Sequence, residues 1–247
     1  MIQEKQPTSN CNARFAVKWS DTALRWNHVV VWCFIAVIGG TCWAEAPGDG
    51  RALKPLFDGK TLQGWEGNAK YFRVEDGCIV AGTLKEPIPH NEFLCTEREF
   101  ADFELIVEVQ LRGEGNNAGI QFRSQRIAGS TEVRGYQCDV GEAWGRPVWG
   151  ALYDESRRNT MLAEGPAEKV RQWLREDDWN ELRVVAVGNR IMLYLNGHLT
   201  VDYRERDPQI PRTGIIGLQI HSGPPTEAWY RNIRLRELTL SDTQAEQ

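Results

Sequence analysis

No CxxC pair and no cysteine–histidine spacing of the metal-ligand kind occurs in this 247-residue chain, which has only six cysteines and four histidines. A cysteine-based metal site is therefore not expected. Cys11, Cys33 and Cys42 fall near the N-terminus, leaving Cys78, Cys95 and Cys138, an odd number in a chain too large to depend on stapling. Three buried thiols are expected, with a Cys78–Cys95 bridge as the alternative in an oxidising compartment. A Lys/Arg-rich stripe is also missing, and 34 acidic residues outnumber 29 basic ones, so no nucleic-acid partner is expected. The apolar run from Val29 to Ile38 is too short to cross a bilayer comfortably, which argues against a stable membrane span. Helix is scarce: one short stretch, Pro166 to Leu174, has proline at an early position. There is no internal repeat.

The short apolar run does suit export. Lys18 and Arg25 precede it, and small residues lead from it to Ala44. A basic flank, a short apolar core and a small residue at the cut make a secretory signal. The expected organisation is a signal peptide and leader over 1–44, a linker over 45–52, a folded domain over 53–240 and a flexible tail over 241–247. Gly39-Gly40-Thr41-Cys42 resembles a lipoprotein box, but Thr before the cysteine fits it poorly, so lipid anchoring is the weaker alternative. Loss of the leader removes four of the 29 basic and two of the 34 acidic groups, leaving a net charge of −7. That balance suits a soluble protein of the periplasm or exterior.

What is present in abundance is strand. Phe72-Arg73-Val74-Glu75 and Cys78-Ile79-Val80-Ala81 flank Asp76-Gly77, a strong hairpin signal. Phe103 to Leu111 alternates strictly, as a long half-buried strand does. Ala118–Arg123, Tyr136–Val140, Trp149–Tyr153, Trp179–Val187, Arg190–Leu195, Ile215–His221 and Trp229–Leu240 follow, joined by Gly, Asn and Asp turns. Trp65, Trp179 and Trp229 read as core anchors. The expected fold is all-β, a two-sheet jelly-roll sandwich with one short helix.

Three of these strands carry a polar pair astride one apolar residue: Gln121-Phe122-Arg123, Gln137-Cys138-Asp139 and Gln219-Ile220-His221. Residues i and i+2 of a strand share a face. Side by side, the three would line one sheet face with amides, a guanidinium, a carboxylate and an imidazole. That is a groove for a polar ligand, and sugars are the obvious class.

A run of motifs extends this reading. Phe57-Asp58-Gly59-Lys60-Thr61-Leu62-Gln63-Gly64-Trp65 opens the domain, and Gly115-Asn116-Asn117-Ala118-Gly119-Ile120-Gln121-Phe122-Arg123 follows. Next come Gly135-Tyr136-Gln137-Cys138-Asp139 and Trp149-Gly150-Ala151-Leu152-Tyr153-Asp154-Glu155. Trp179-Asn180, Leu195-Asn196-Gly197 and Gly217-Leu218-Gln219-Ile220-His221-Ser222-Gly223 end the series. Their order and spacing resemble the 3-keto-disaccharide hydrolase domain family over about residues 53–240. The resemblance implies a concanavalin A-like jelly roll, an exported bacterial protein of glycan breakdown, and a hydrolase or 1,2-lyase acting on 3-keto-glycosides. An oligosaccharide or 3-keto-glycoside is then the expected partner; quaternary state is left open.

Chemistry, not the resemblance, assigns the residues. A ketone at C3 makes the C2 proton acidic, so the glycosidic bond can leave by elimination. A base must take that proton, a positive group must hold the enediolate oxygens, and an acid must protonate the leaving oxygen. His221 is the first candidate for the base or a metal ligand; the alternative is a histidine structuring the turn into Ser222-Gly223-Pro224-Pro225. Asp139 is a second base or ligand, or else a carboxylate paired with Arg123. Arg123 suits bidentate grip on vicinal or enediolate oxygens, alternatively a salt bridge to Asp139. A divalent metal ion on His221 and Asp139 is the alternative clamp.

Glu155, ending a strand, is the candidate general acid. Gln121, Gln137 and Gln219 are expected on sugar hydroxyls, with Tyr153 beside them. Trp144, in a Gly-rich loop, is the stacking platform. Trp149 and Asp154 read as structural, and Asn116-Asn117 as a turn pair. A non-catalytic carbohydrate-binding module on the same fold is the competing function. A laminarinase-type glycosidase is weaker, because no ExDxxE-like run of glutamates occurs.

Overall fold

The computed structural model describes residues 52–239. The expected leader, all of the linker before Ala52, and the C-terminal tail lie outside the described residues. In chain order the first strands are β1 (Lys54–Pro55), β2 (Trp65–Glu66), β3 (Phe72–Glu75), β4 (Cys78–Thr83), β5 (Glu92–Thr96) and β6 (Phe103–Gly113). Next come β7 (Asn117–Arg126), β8 (Val133–Ala143), β9 (Arg146–Pro147), β10 (Leu152–Glu155) and β11 (Thr160–Ala163). Helix α1 (Ala167–Trp173) precedes β12 (Asn180–Val187), β13 (Arg190–Leu195), β14 (His198–Arg204), β15 (Ile215–Ile220) and β16 (Thr226–Glu237).

Two antiparallel sheets result. One has the order β14-β13-β12-β6-β16-β4-β3 with β1 beside β16; the other runs β11-β10-β8-β7-β15-β5-β2 with β9 beside β8. Packed face to face they make the expected jelly-roll sandwich, and α1 is the one helix among the described residues.

Alternation explains the layering. On β6, Phe103, Leu105 and Val107 turn inward opposite Ala186, Val184 and Leu182 of β12. Glu104 and Glu108 turn outward, where Glu104 meets Arg183 and Arg236 and Glu108 meets Arg231. The second sheet contributes Ala118, Ile120, Phe122, Tyr136, Cys138, Val140, Leu152, Leu218 and Ile220 to the same core. Each large side chain so enclosed is worth about 1.5–3 kcal/mol of transfer free energy. Between the sheets, the Tyr230 hydroxyl on β16 donates to the backbone oxygen of Gln219 on β15 at 2.5 Å. Burial raises the Tyr230 pKa, so the donor stays protonated.

The Asp76-Gly77 hairpin is formed, with φ of +49° and +73° as a type I′ turn requires. Cys78, Cys95 and Cys138 are free and buried, as expected, and no bridge joins Cys78 to Cys95. Two of the three tryptophan anchors are elsewhere than expected. Trp65 is in the inter-sheet core, but Trp229 packs with Cys78, Val80 and Trp179 on the outside of the first sheet. There Arg112 covers Trp229 and Arg231 covers Trp179, both guanidinium carbons 3.9 Å from the ring centroid. Stacked arginines shield these rings in place of a second layer of protein.

Candidate functional site

Strands β8, β7 and β15 are consecutive neighbours in the second sheet, so the three polar couples share one sheet. Register aligns them. Tyr153 lies opposite Gln137, Gln137 opposite Gln121, and Gln121 opposite Gly217. Along from that row, Asp139 lies opposite Gly119 and Gly119 opposite Gln219. These residues alternate with the core set, so they occupy the outer face. A cavity of about 140 Å³ opens there, and Gln137, Asp139, Trp144, Tyr153, Glu155 and His221 line it. Larger clefts of about 320 and 380 Å³ lie around Arg175–Asp178 and around Trp179. Neither holds a buried carboxyl or a histidine, so chemistry selects the smaller one.

Asp139 is fixed from several directions. Its backbone N–H donates to Ala151 and its carbonyl accepts from Gly150, each at 2.9 Å. The Gln137 amide donates to Oδ1 at 2.6 Å. The side chain is almost completely buried, and that burial pushes its pKa up to about 7; Glu155 and Glu164 push the same way, against the Gln137 hydrogen bond. Glu155 also has a raised pKa, chiefly from burial and then from Glu132, while Ser156 and His221 oppose the shift. Both carboxyl groups of the pocket thus have their pKa raised, burial being the largest cause for each.

His221 follows β15 directly. Its Nδ1 lies 2.7 Å from the carbonyl oxygen of Ser222. A carbonyl only accepts, so Nδ1 carries the proton and Nε2 of the neutral ring keeps a free lone pair. The loop is itself held: Ser222 N–H donates to Asn91 Oδ1 at 2.9 Å, and Ile88 and Gly223 exchange both backbone hydrogen bonds. The turn-structuring and chemical readings of His221 are therefore compatible.

Trp144 stands at the tip of the β8–β9 hairpin, 66% exposed and with φ of +49°. Its ring is tilted over Tyr153 with centroids 6.1 Å apart, and the Arg146 guanidinium lies 5.2 Å from its centroid. Arg146 in turn pairs with Glu164 at 3.0 Å. An exposed aromatic at a pocket mouth is a ready-made sugar platform.

Three expectations need correction. Arg123 is not in the pocket and makes no pair with Asp139. The β7–β8 register shifts between Phe122 and Gln125, and Arg123 sits on that bulge with φ of +46°. An extra residue in the ladder reverses which face the chain presents. The guanidinium instead donates to Ala101 O, Gly188 O and Asp102 Oδ1, each at 2.8 Å, with only 2% exposure. It ties loop to loop rather than binding substrate. Arg123→Ala is expected to lower unfolding free energy by about 3 kcal/mol, read as a shifted denaturant midpoint.

Gln121 and Gln219 are on the right face but fully buried and off the cavity wall. Gln121 backs Gln137, whose Oε1 accepts from its Nε2 at 2.6 Å. Gln219 Nε2 lies 3.5 Å from Glu155 Oε2, and its Oε1 is buried without a partner. Both support pocket residues instead of touching hydroxyls. A metal on His221 and Asp139 also fits poorly. Among the described residues no three His, Cys, Asp or Glu side chains converge to hold one. Asp139 already gives one oxygen to Gln137, and its burial favours the protonated state, which does not ligate.

Two further residues line the pocket: Asn91, which the sequence does not mark, and Asn117, read from the sequence as half of a turn pair in preference to a binding residue. Asn91 uses Oδ1 for Ser222, which leaves its NH2 without a partner among the described residues. Asn117 donates to Glu142 O at 3.0 Å from the pocket rim. The Asn116-Asn117 pair was the only signal for either; nothing local marks Asn91.

Comparison with known proteins agrees with this frame. A curated protein of Bacteroides thetaiotaomicron named 3-keto-disaccharide hydrolase is 20% identical over 78% of this chain and 81% of its own. A candidate glycosyl hydrolase of Parabacteroides distasonis superposes with a TM-score of 0.56 at 22% identity, over 76% of this chain and all of its own. The carbohydrate-binding module CBM66 of Bacillus subtilis superposes with a TM-score of 0.51 at 16% identity, over 70% and 96%. At these identities the superpositions establish the fold alone. Residues 52–236 match the 3-keto-alpha-glucoside-1,2-lyase-like domain, and the chain belongs to that family.

Proposed function

We propose that this protein is an exported enzyme that cleaves the glycosidic bond of 3-keto-glycosides by elimination followed by hydration. The observation that carries the reading is the 2.7 Å contact of His221 Nδ1 with Ser222 O: with Nδ1–H committed there, Nε2 of the neutral tautomer is a base beside two carboxyl groups whose pKa values are raised. The elimination needs such a set. Nε2 takes the proton from C2, and the C–H electrons become the C2–C3 double bond of an enediolate. The oxygen on C3 gains charge, and protonated Asp139 and the Asn91 amide are the donors at hand. A neutral carboxyl donating to an enolate oxygen supplies stabilisation that a carboxylate cannot. Collapse of the enediolate expels the C1 oxygen, which takes its proton from Glu155. Water adding at C1, with a proton returned to C2, completes a net hydrolysis.

Export rests on the basic-flanked apolar run ahead of the domain. A sugar-binding role without catalysis is the second reading, favoured by the exposed Trp144 ring. Incubation with a 3-keto-disaccharide and with its unoxidised parent separates the two. Product from the keto sugar alone is expected; binding without turnover of either would make the protein a module. Trp144→Ala is expected to raise KM by roughly 5–10-fold with kcat little changed and the thermal midpoint unmoved, since an exposed platform contributes about 1 kcal/mol to substrate grip. Steady-state kinetics over a substrate series checks it.

A further inference from the structure

Behind the pocket the same face carries an unbroken line of side chains. Ser124 Oγ lies 2.8 Å from Gln121 Oε1, Gln121 Nε2 lies 2.6 Å from Gln137 Oε1, and Gln137 Nε2 lies 2.6 Å from Asp139 Oδ1. Ser124 and Gln121 are fully buried, and Gln137 and Asp139 nearly so. We propose that Ser124 is a positioning residue, whose hydroxyl closes the far end of this line and holds both glutamine amides, and through them the Asp139 carboxyl, in place for substrate. This rests on the reaction proposed above, where Asp139 acts as a donor.

The polarity of the line follows from donors and acceptors. Phe122 O and Tyr136 O, 3.1 and 3.4 Å from Ser124 Oγ, can only accept. The sense is read from the Asp139 end: Oδ1 accepts from the Gln137 NH2, Gln137 Oε1 then accepts from the Gln121 NH2, and Gln121 Oε1 is left to take the Ser124 hydrogen at the shortest of its three contacts. Reversing one amide would oblige the next to reverse, until Gln137 Oε1 met Asp139 Oδ1; that contact holds only with the Asp139 proton on Oδ1, where it is spent on Gln137 and lost to substrate. Ser124 and Gln121 are fully buried, so a reversed amide at that end would have to be satisfied by the line itself. In the observed sense Oδ1 is occupied and Oδ2 has no hydrogen bond from the described residues. Oδ2 is then the oxygen left for substrate.

The backbone is shaped around this line. The bulge that carries Arg123 away is what brings Ser124 to the face of Gln121, out of the regular alternation. Opposite Ser124 stands Gly135, where a Cβ would come within 2.2 Å of Ser124 Oγ. Opposite Asp139 stands Gly119, where a Cβ would lie 2.4 Å from Gln137 Cδ. Both close approaches are open only to glycine, and each clears space for a member of the line.

Ser124→Ala removes the hydroxyl, and Gly119→Ala pushes the Gln137 amide from the opposite end. The side-chain NH2 signals of Gln121 and Gln137 are assigned by 15N NMR with Gln121→Met and Gln137→Met, and their hydrogen exchange is measured. In Ser124→Ala, exchange at Gln137 is expected to accelerate at least about tenfold, and kcat on a 3-keto-disaccharide to fall roughly 10–100-fold with KM within about twofold. Gly119→Ala, which displaces Gln137 directly, is expected to give the same kinetic pattern, and Ser124→Cys, which weakens the donor while keeping the side chain's shape, takes the place of Ser124→Ala if that variant does not fold. Unchanged exchange at Gln137, or a loss confined to KM, overturns the relay. Should wild-type protein turn over no 3-keto-glycoside, the reaction is wrong, and the exchange result by itself decides the relay.

Discussion

His221→Gln is expected to lower kcat by about 10²–10⁴-fold while KM and the thermal midpoint stay near wild type. Glutamine is the instructive replacement because its NH2 can take over the hydrogen bond to Ser222 O, keeping the loop closed by the Ile88–Gly223 pair. What it cannot supply is a basic nitrogen. The loss therefore reports proton transfer and not the turn. In deuterated water the wild type should place deuterium at C2 of the 3-keto sugar, and the variant should not. A substrate deuterated at C2 should react more slowly with wild type, whereas bond cleavage through an oxocarbenium ion would show almost no such effect. His221→Ala should recover part of its activity with added imidazole. Retention of C2 exchange in His221→Gln would remove the imidazole from the mechanism and leave the carboxyl groups as the only bases in reach.

Much of the fold is written in short-range pattern. The alternation of β6, the Asp76-Gly77 turn and the Asn196-Gly197 turn require no tertiary information, and each forms as expected. The polar couples were legible for the same reason: a regular pleat puts i and i+2 on one face, and two of the three strands obey it with Gln137/Asp139 and Gln219/His221. Arg123 broke the rule because its left-handed φ is sustained by partners far along the chain. Ala101, Asp102 and Gly188 hold its side chain, and Gly214, where a Cβ would be 2.6 Å from Arg123 C, lets the backbone close in. No local window contains those residues. Asn91 was hidden likewise, since its place in the pocket depends on pairing with Ser222, 131 residues later. Burial of the glutamines was the third blind spot: identity gives the face, but only packing decides which amide reaches the cavity.

Asp139→Asn is expected to reduce kcat by about 10²–10³-fold and, at pH 8, to make the protein more stable than wild type. The two effects have one cause. Burial raises the Asp139 pKa from 3.8 to about 7, so above pH 7 the fold carries a carboxylate it would prefer to hold as an acid. Between about pH 4 and 7 the folded state binds more protons than the unfolded chain, and unfolding free energy from this group falls as pH rises. The cost is complete above pH 7 and absent below pH 4. A gap of about three pKa units corresponds to at most about 4 kcal/mol. Asparagine keeps an oxygen to accept from Gln137 but has no charge to bury, so its advantage should appear at pH 8 and vanish near pH 4. Glu205 has the opposite sign. Although burial works against it, Arg158 and Tyr136 hold its pKa down to about 2, so it contributes stability above pH 4.5 that is lost as pH falls toward 2. That term is common to both proteins and cancels in their difference. Urea titrations of wild type and Asp139→Asn at pH 4, 6 and 8 therefore isolate the pocket carboxyl. A difference that does not grow with pH would mean that Asp139 is an ordinary ionised carboxylate, and the donor assigned to the C3 oxygen would have to be sought at Asn91 alone.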